Sequence, residues 1–149
     1  MADIFISYAR EDRECARVLA ETLEHRGWSV WWDRRLYAGQ NFDLVIEQEI
    51  AAARAAIVMW SASSVDSEYV RAEATRAREL NRLLPVRIDS ALVPLRFANI
   101  HTIDLSPWLA PSRSGGRVRG GSEAADHATA SLLRARDRAR TPGTGTSVV

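Results

Sequence analysis

The chain has 149 residues and a formal net charge of +1, a size that suits one domain plus a tail and a balance that gives no general pull toward nucleic acid or an anionic membrane. All 20 basic residues are Arg, which excludes every mechanism that needs a lysine, and one cysteine, Cys15, excludes an internal disulfide and fits a reducing cytoplasm. No apolar stretch reaches the ~18 residues of a membrane span, and Met1-Ala-Asp-Ile-Phe-Ile lacks the basic start of a signal peptide.

In chain order, Asp3-Ile-Phe-Ile-Ser7 reads as a short central strand, followed by the polar turn Tyr8–Asp12 with Asp12 as a helix N-cap. Cys15, Val18, Leu19, Thr22 and Leu23 then recur at helical spacing up to His25-Arg26-Gly27, where cations and a C′ glycine end the helix. Trp28-Ser-Val-Trp-Trp32 is a second strand by its β-forming residues. Asp33–Asn41 is a loop long enough to have a role of its own. Phe42, Val45, Ile46, Ile50 and Ala53 mark a second amphipathic helix.

The apolar run Ala55–Trp60 is a third, buried strand, and the break Ser61–Ser64 leads to a helix over 67–80. Val70, Ala74 and Ala77 form that helix's apolar stripe, and Glu73 falls on its edge. Leu83–Ile88 is a fourth strand, in which Pro85 marks an edge or a strand entrance. After an irregular link over 89–100, His101–Leu105 is a fifth strand, closed by Ser106-Pro107-Trp108. The alternation predicts an α/β fold, a five-stranded parallel sheet of flavodoxin-like order 2-1-3-4-5 with helices on both faces. The crevice lies after Ser7 and Trp60, at the carboxyl ends of the strands, where such sheets bind ligands.

The core therefore spans 1–109; 110–121 reads as a flexible Gly/Arg/Ser linker, 122–140 as a C-terminal helix and 141–149 as a disordered tail. Charge follows this division: 1–109 hold 13 Arg against 16 Asp and Glu, net −3, and 110–149 hold 7 against 3, net +4. His25, His101 and His127 are too scattered for a metal site, and no metal or cofactor is expected.

Three segments carry a family resemblance. Asp3-Ile-Phe-Ile-Ser-Tyr-Ala-Arg-Glu-Asp12 resembles the first box of Toll/interleukin-1 receptor (TIR) domains, and Trp31-Trp-Asp-Arg-Arg-Leu-Tyr-Ala-Gly-Gln40 resembles the second, the BB loop. Ser61–Glu73 resembles the family's serine followed by aromatic-x-x-x-Glu. The resemblance covers about 2–108, with two departures: Tyr69 where Trp is usual, and Ala38 where Pro often precedes the loop glycine, Gly39. It implies either a bacterial, cytoplasmic NAD⁺ glycohydrolase or ADP-ribose cyclase, with NAD⁺ as substrate and activity on self-association in antiphage defence, or a non-catalytic module that binds other TIR domains or mimics those of a host.

In the enzymatic reading Glu73 is the catalytic carboxylate. Tyr8, Ala9, Arg10, Asp33, Tyr37, Phe42 and Tyr69 contact NAD⁺, while Leu36, Ala38 and Gly39 form the BB-loop contact surface. The chemistry suits one carboxylate. Nicotinamide leaves as a neutral base from a cationic ring, so no general acid is needed, and the oxocarbenium-like ribose needs a negative group near its hydroxyls. The alternative for Glu73 is a helix carboxylate paired with Arg76 or another arginine on a solvated face. Phe42 and Trp60 fit packing as well as the crevice. A phosphoacceptor receiver domain of similar topology would need an Asp after the third strand, where Ser61 stands, and a lysine.

Overall fold

The computed structural model describes residues 2–34 and 42–109, together with 130 and 134. Strands β1 (Ile4–Ser7), β2 (Val30–Trp31), β3 (Ala55–Trp60), β4 (Leu83–Arg87) and β5 (Ile103–Asp104) form one sheet in the order β2-β1-β3-β4-β5, every pair parallel. Helices α1 (Arg13–His25), α2 (Phe42–Ala52), α3 (Glu68–Glu79) and the single turn α4 (Ser106–Leu109) complete it. This is the flavodoxin-like arrangement that the alternation predicts.

Strand parity sorts the core into two layers. Ile4, Ile6, Ile57, Met59, Val86 and Ile88 pack with Cys15, Ala16, Leu19 and Leu23 of α1. On the opposite face Phe5 and Ala56 meet Ile46 and Ile50 of α2, and Val58 and Trp60 meet Val70 and Ala74 of α3. Ser7 shares Phe5's parity and is fully buried, so a hydroxyl lies at the carboxyl end of β1 beneath α3. The side chains of Ala74 and Ala77 are small enough to let α3 lie close to the sheet, and both are completely buried.

Local chemistry explains the element ends. Gly27 closes α1 with φ +92°, the left-handed conformation expected of a C′ glycine. Ser67 caps α3, its Oγ accepting from the Val70 N–H at 3.3 Å. Asp12 precedes α1 but makes no side-chain cap, because its carboxylate is engaged by the Ser61 hydroxyl instead.

β2 is shorter than the predicted 28–32. The Trp28 N–H bonds back to Leu23 at the end of α1, and the Trp32 carbonyl accepts from the Tyr8 hydroxyl rather than from a strand. β5 is likewise only two residues, and Ser106-Pro107 begins a helical turn where the sequence suggests a stop; Asp104 Oδ1 accepts from both the Ser106 N–H and its hydroxyl.

Pro85 lies in the middle of β4, an interior strand, opposite Val58. The Ile88 N–H bonds to Trp60 of β3, so by alternation the position of the missing Pro85 N–H faces β5. Pairing with β5 begins only at Val86, and no ladder bond is lost. The linker, helix and tail expected over 110–121, 122–140 and 141–149 lie outside the described residues, apart from Ala130 and Arg134, which are helical.

Candidate active site

α3 carries Glu73 one position before Ala74 on its inward stripe, which brings the side chain over the end of β1. Glu73 is 5% exposed and therefore not on a solvated face. Its Oε2 accepts two hydrogen bonds, from the Ser7 hydroxyl at 2.9 Å and from Arg34 Nη2 at 2.9 Å. Arg34 Nη1 lies 2.7 Å from Oε1, so the guanidinium faces both carboxylate oxygens. Apart from Arg34, no donor meets Oε1 among the described residues. Arg76, the neighbour on the same helix, pairs with Glu47 and Glu79 instead.

The Arg34 guanidinium is enclosed by rings. Its carbon lies 4.4 Å from the centre of Tyr69, 5.4 Å from Tyr8, 5.8 Å from Phe5 and 5.9 Å from Trp31. Each is within cation–π range. Phe5 and Trp31 stack in parallel at 5.1 Å and form the floor. Tyr69, on the first turn of α3 and 40% exposed, forms the outer wall. Tyr8 is buried, and its hydroxyl donates to the Trp32 carbonyl at 2.8 Å. That burial holds its phenol above the usual value, opposed by the Arg34 and Arg13 charges.

A second network braces this wall. Arg13 of α1 pairs with Asp33 at 3.2 Å and lies 4.9 Å from the Trp32 ring centre, fixing the chain just before Arg34. Arg10 is exposed in the 3₁₀ turn after β1, and Ala9 is buried beside it. Tyr8, Tyr69 and Glu73 are thus brought together, with Asp33 one residue from the group and Arg10 outside it. Phe42 begins α2, but its side chain, like Leu36, Tyr37, Ala38 and Gly39, lies outside the described residues. Trp60 is fully buried against Phe97 at 5.3 Å, in the core rather than in a crevice wall.

Two members of the group are not anticipated by the sequence reading. Ser7 is legible as a polar residue ending an apolar strand on Phe5's face. Arg34 is not, since nothing in Asp33-Arg-Arg35 selects one arginine over the other. Beyond the group, Asp12 receives the Ser61 hydroxyl, and burial pushes its carboxyl up, assisted by the charges of Asp89 and Glu11. Among the described residues no cluster of His, Cys, Asp and Glu is arranged to hold a metal, and no helix is long and apolar enough to cross a membrane.

The pattern of the TIR domain matches residues 4–115, and the chain belongs to this family. It is 38% identical over 73 residues to the NAD(+) hydrolase TcpA of Theionarchaea archaeon (strain DG-70-1), covering 48% of this chain and 22% of that protein. It is 34% identical over 122 residues to the 2' cyclic ADP-D-ribose synthase BtTIR of Bacteroides thetaiotaomicron, covering 68% of this chain and 42% of that one. The chain therefore spans less than half the length of either relative.

In fold it is similar to the TIR domain of the Toll-related receptor TRR-2 of Hydra magnipapillata, with TM-score 0.64 and 21% identity over 70% of this chain and 84% of that one. It is also similar to a metazoan TIR-STING receptor from C. gigas, with TM-score 0.62 and 24% identity over 70% and 35% of the two chains.

Proposed function

We propose that the chain is a TIR-type NAD⁺ glycohydrolase, with an ADP-ribose cyclase outcome where the nucleophile comes from the substrate itself. The observation that carries this reading is the buried Glu73 carboxylate at the carboxyl end of β1, beside the rings of Phe5, Tyr8, Trp31 and Tyr69 that surround its Arg34 partner. In this reading a ribose hydroxyl donates to the Glu73 carboxylate. The bond between the ribose anomeric carbon and the nicotinamide nitrogen breaks with its electron pair passing to nitrogen, which discharges the pyridinium. Glu73 stabilises the positive charge left on the sugar. Water, or a second hydroxyl of the dinucleotide in the cyclase case, then bonds to the anomeric carbon and releases a proton.

Tyr69 and Tyr8 face the ring, Ala9 lines the turn beside it, and Arg10 reaches for the diphosphate by its forked donors. Asp33, held by Arg13, shapes the wall of the pocket. Tyr37 and Phe42 complete the NAD⁺ contacts of this reading, while Leu36, Ala38 and Gly39 serve contact between copies. The names of both curated relatives, a hydrolase and a cyclase, support the substrate class. A cytoplasmic setting, bacterial antiphage defence and activation by self-association belong to the same proposal.

The second reading is an interaction module without turnover, or a mimic of host TIR domains. It is favoured by Leu92 and Leu95, which are 87% and 91% exposed on the link between β4 and β5. Nicotinamide release from NAD⁺ by concentrated protein separates the two. Turnover that Glu73→Gln abolishes, with fold and assembly retained, supports the enzyme; no turnover by any assembled wild-type protein leaves the module.

A further inference from the structure

The group around Glu73 is already filled by the chain itself. A planar, delocalised cation lies among four aromatic rings, with a carboxylate 2.7–2.9 Å from its nitrogens. A pyridinium ring asks for the same surroundings: π-faces for a flat cation and a carboxylate near the bond that will break. Two such cations cannot share one buried cage, because each repels the other where water cannot screen them. While Arg34 stays, Glu73 also presents a neutralised charge that does little for a developing oxocarbenium.

We infer that Arg34 is an internal occupant of the subsite for the cationic nicotinamide ring, closing the site until it withdraws from Glu73. This rests on the NAD⁺ reading and specifies how that site is controlled. Three features make the occupant displaceable. Arg34 Nε is buried with no acceptor among the described residues, so the guanidinium is held through its two outer nitrogens alone. Its side chain is still 13% exposed, so it borders water. Asp33, one residue earlier, is pinned by Arg13, so Arg34 can turn away while the wall behind it keeps its place.

The test is binding of 1-methylnicotinamide, a permanent pyridinium cation without a ribose bond to cleave, to full-length wild type and Arg34→Gln at equal dilution. The introduced amide keeps donors for Glu73 without the charge. The expected result is binding at least about tenfold tighter to the variant, a size common for coupling between a gate and a ligand, and lost again when Glu73→Gln is added. As a second measure, Arg34→Ala should bind methylguanidinium in competition with 1-methylnicotinamide, whereas wild type should bind neither appreciably.

Equal or weaker pyridinium binding by folded Arg34→Gln overturns the inference, as does failure of methylguanidinium to compete in Arg34→Ala. Dilute Arg34→Gln should also release nicotinamide from NAD⁺ at least about tenfold faster than dilute wild type. If pyridinium binding rises but no form of the protein, assembled or dilute, turns NAD⁺ over, the internal occupant stands and the hydrolase reading falls. If wild type turns NAD⁺ over and Arg34→Gln does so more slowly, the hydrolase stands and the occupant falls.

Discussion

Two carboxylates flank the carboxyl end of β1, and each receives a serine hydroxyl: Glu73 from Ser7, and Asp12 from Ser61. They differ in their counter-ions. Glu73 is the more deeply buried and is paired with Arg34, whereas Asp12 has a hydroxyl for company and two further acids, Asp89 and Glu11, in its surroundings. Burial alone pushes a carboxyl toward its neutral form, as it does for Asp12. Glu73 instead faces a guanidinium held among aromatic rings. The two acids thus each have a serine partner but do not share a cation.

The comparison breaks most sharply at Glu73. Glu73→Gln, which on the NAD⁺ reading should also end turnover, leaves the Arg34 charge without its partner, and stability should fall by about 3 kcal/mol, the low end for a broken buried pair because Arg34 can turn toward water; denaturant titration measures this. Ser7→Ala removes one of the two hydrogen bonds on Oε2 while keeping the ion pair. A loss of about 2 kcal/mol is expected, typical of a bond to a charged group, and a loss near zero would mean that Arg34 alone positions the acid.

Asp12 sharpens the contrast with the smallest effect and the opposite sign. Its folded-state pKa lies above the ordinary 3.8. Its contribution to stability is therefore fully present below that value and is lost as pH rises through the folded pKa. Asp12→Asn should match wild type in strong acid and melt slightly higher at neutral pH. Taking the difference between the two proteins cancels other titrations, such as Asp104, whose carboxyl is held low by Ser106 and Arg87. A variant less stable than wild type at neutral pH would show that the Asp12 charge is wanted.

Much of this is legible in the sequence, for identifiable reasons. Ala55–Trp60 is an uninterrupted apolar run between polar breaks, and its strand has the same limits in the structure. Val70, Ala74 and Ala77 keep helical period, which by itself sets Glu73 beside the sheet. What escapes depends on partners distant in sequence. The carboxylate of Asp12 could cap α1 locally, but a hydroxyl 49 residues away engages it. Trp28–Trp32 has strand composition throughout, yet its ends are drawn off by Leu23 and Tyr8. The 39-residue separation of Arg34 from Glu73 has no periodic trace at all.

The cysteine has a practical consequence. Cys15 is 4% exposed, its Sγ–H donates to the Leu109 carbonyl at 2.9 Å, and burial lifts the thiol to about 11. A maleimide or disulfide reagent therefore meets an unreactive sulfur while α1 and α4 stay in contact. With one thiol in the chain, the rate of labelling becomes a built-in stopwatch for how often that seam parts, read without changing a residue.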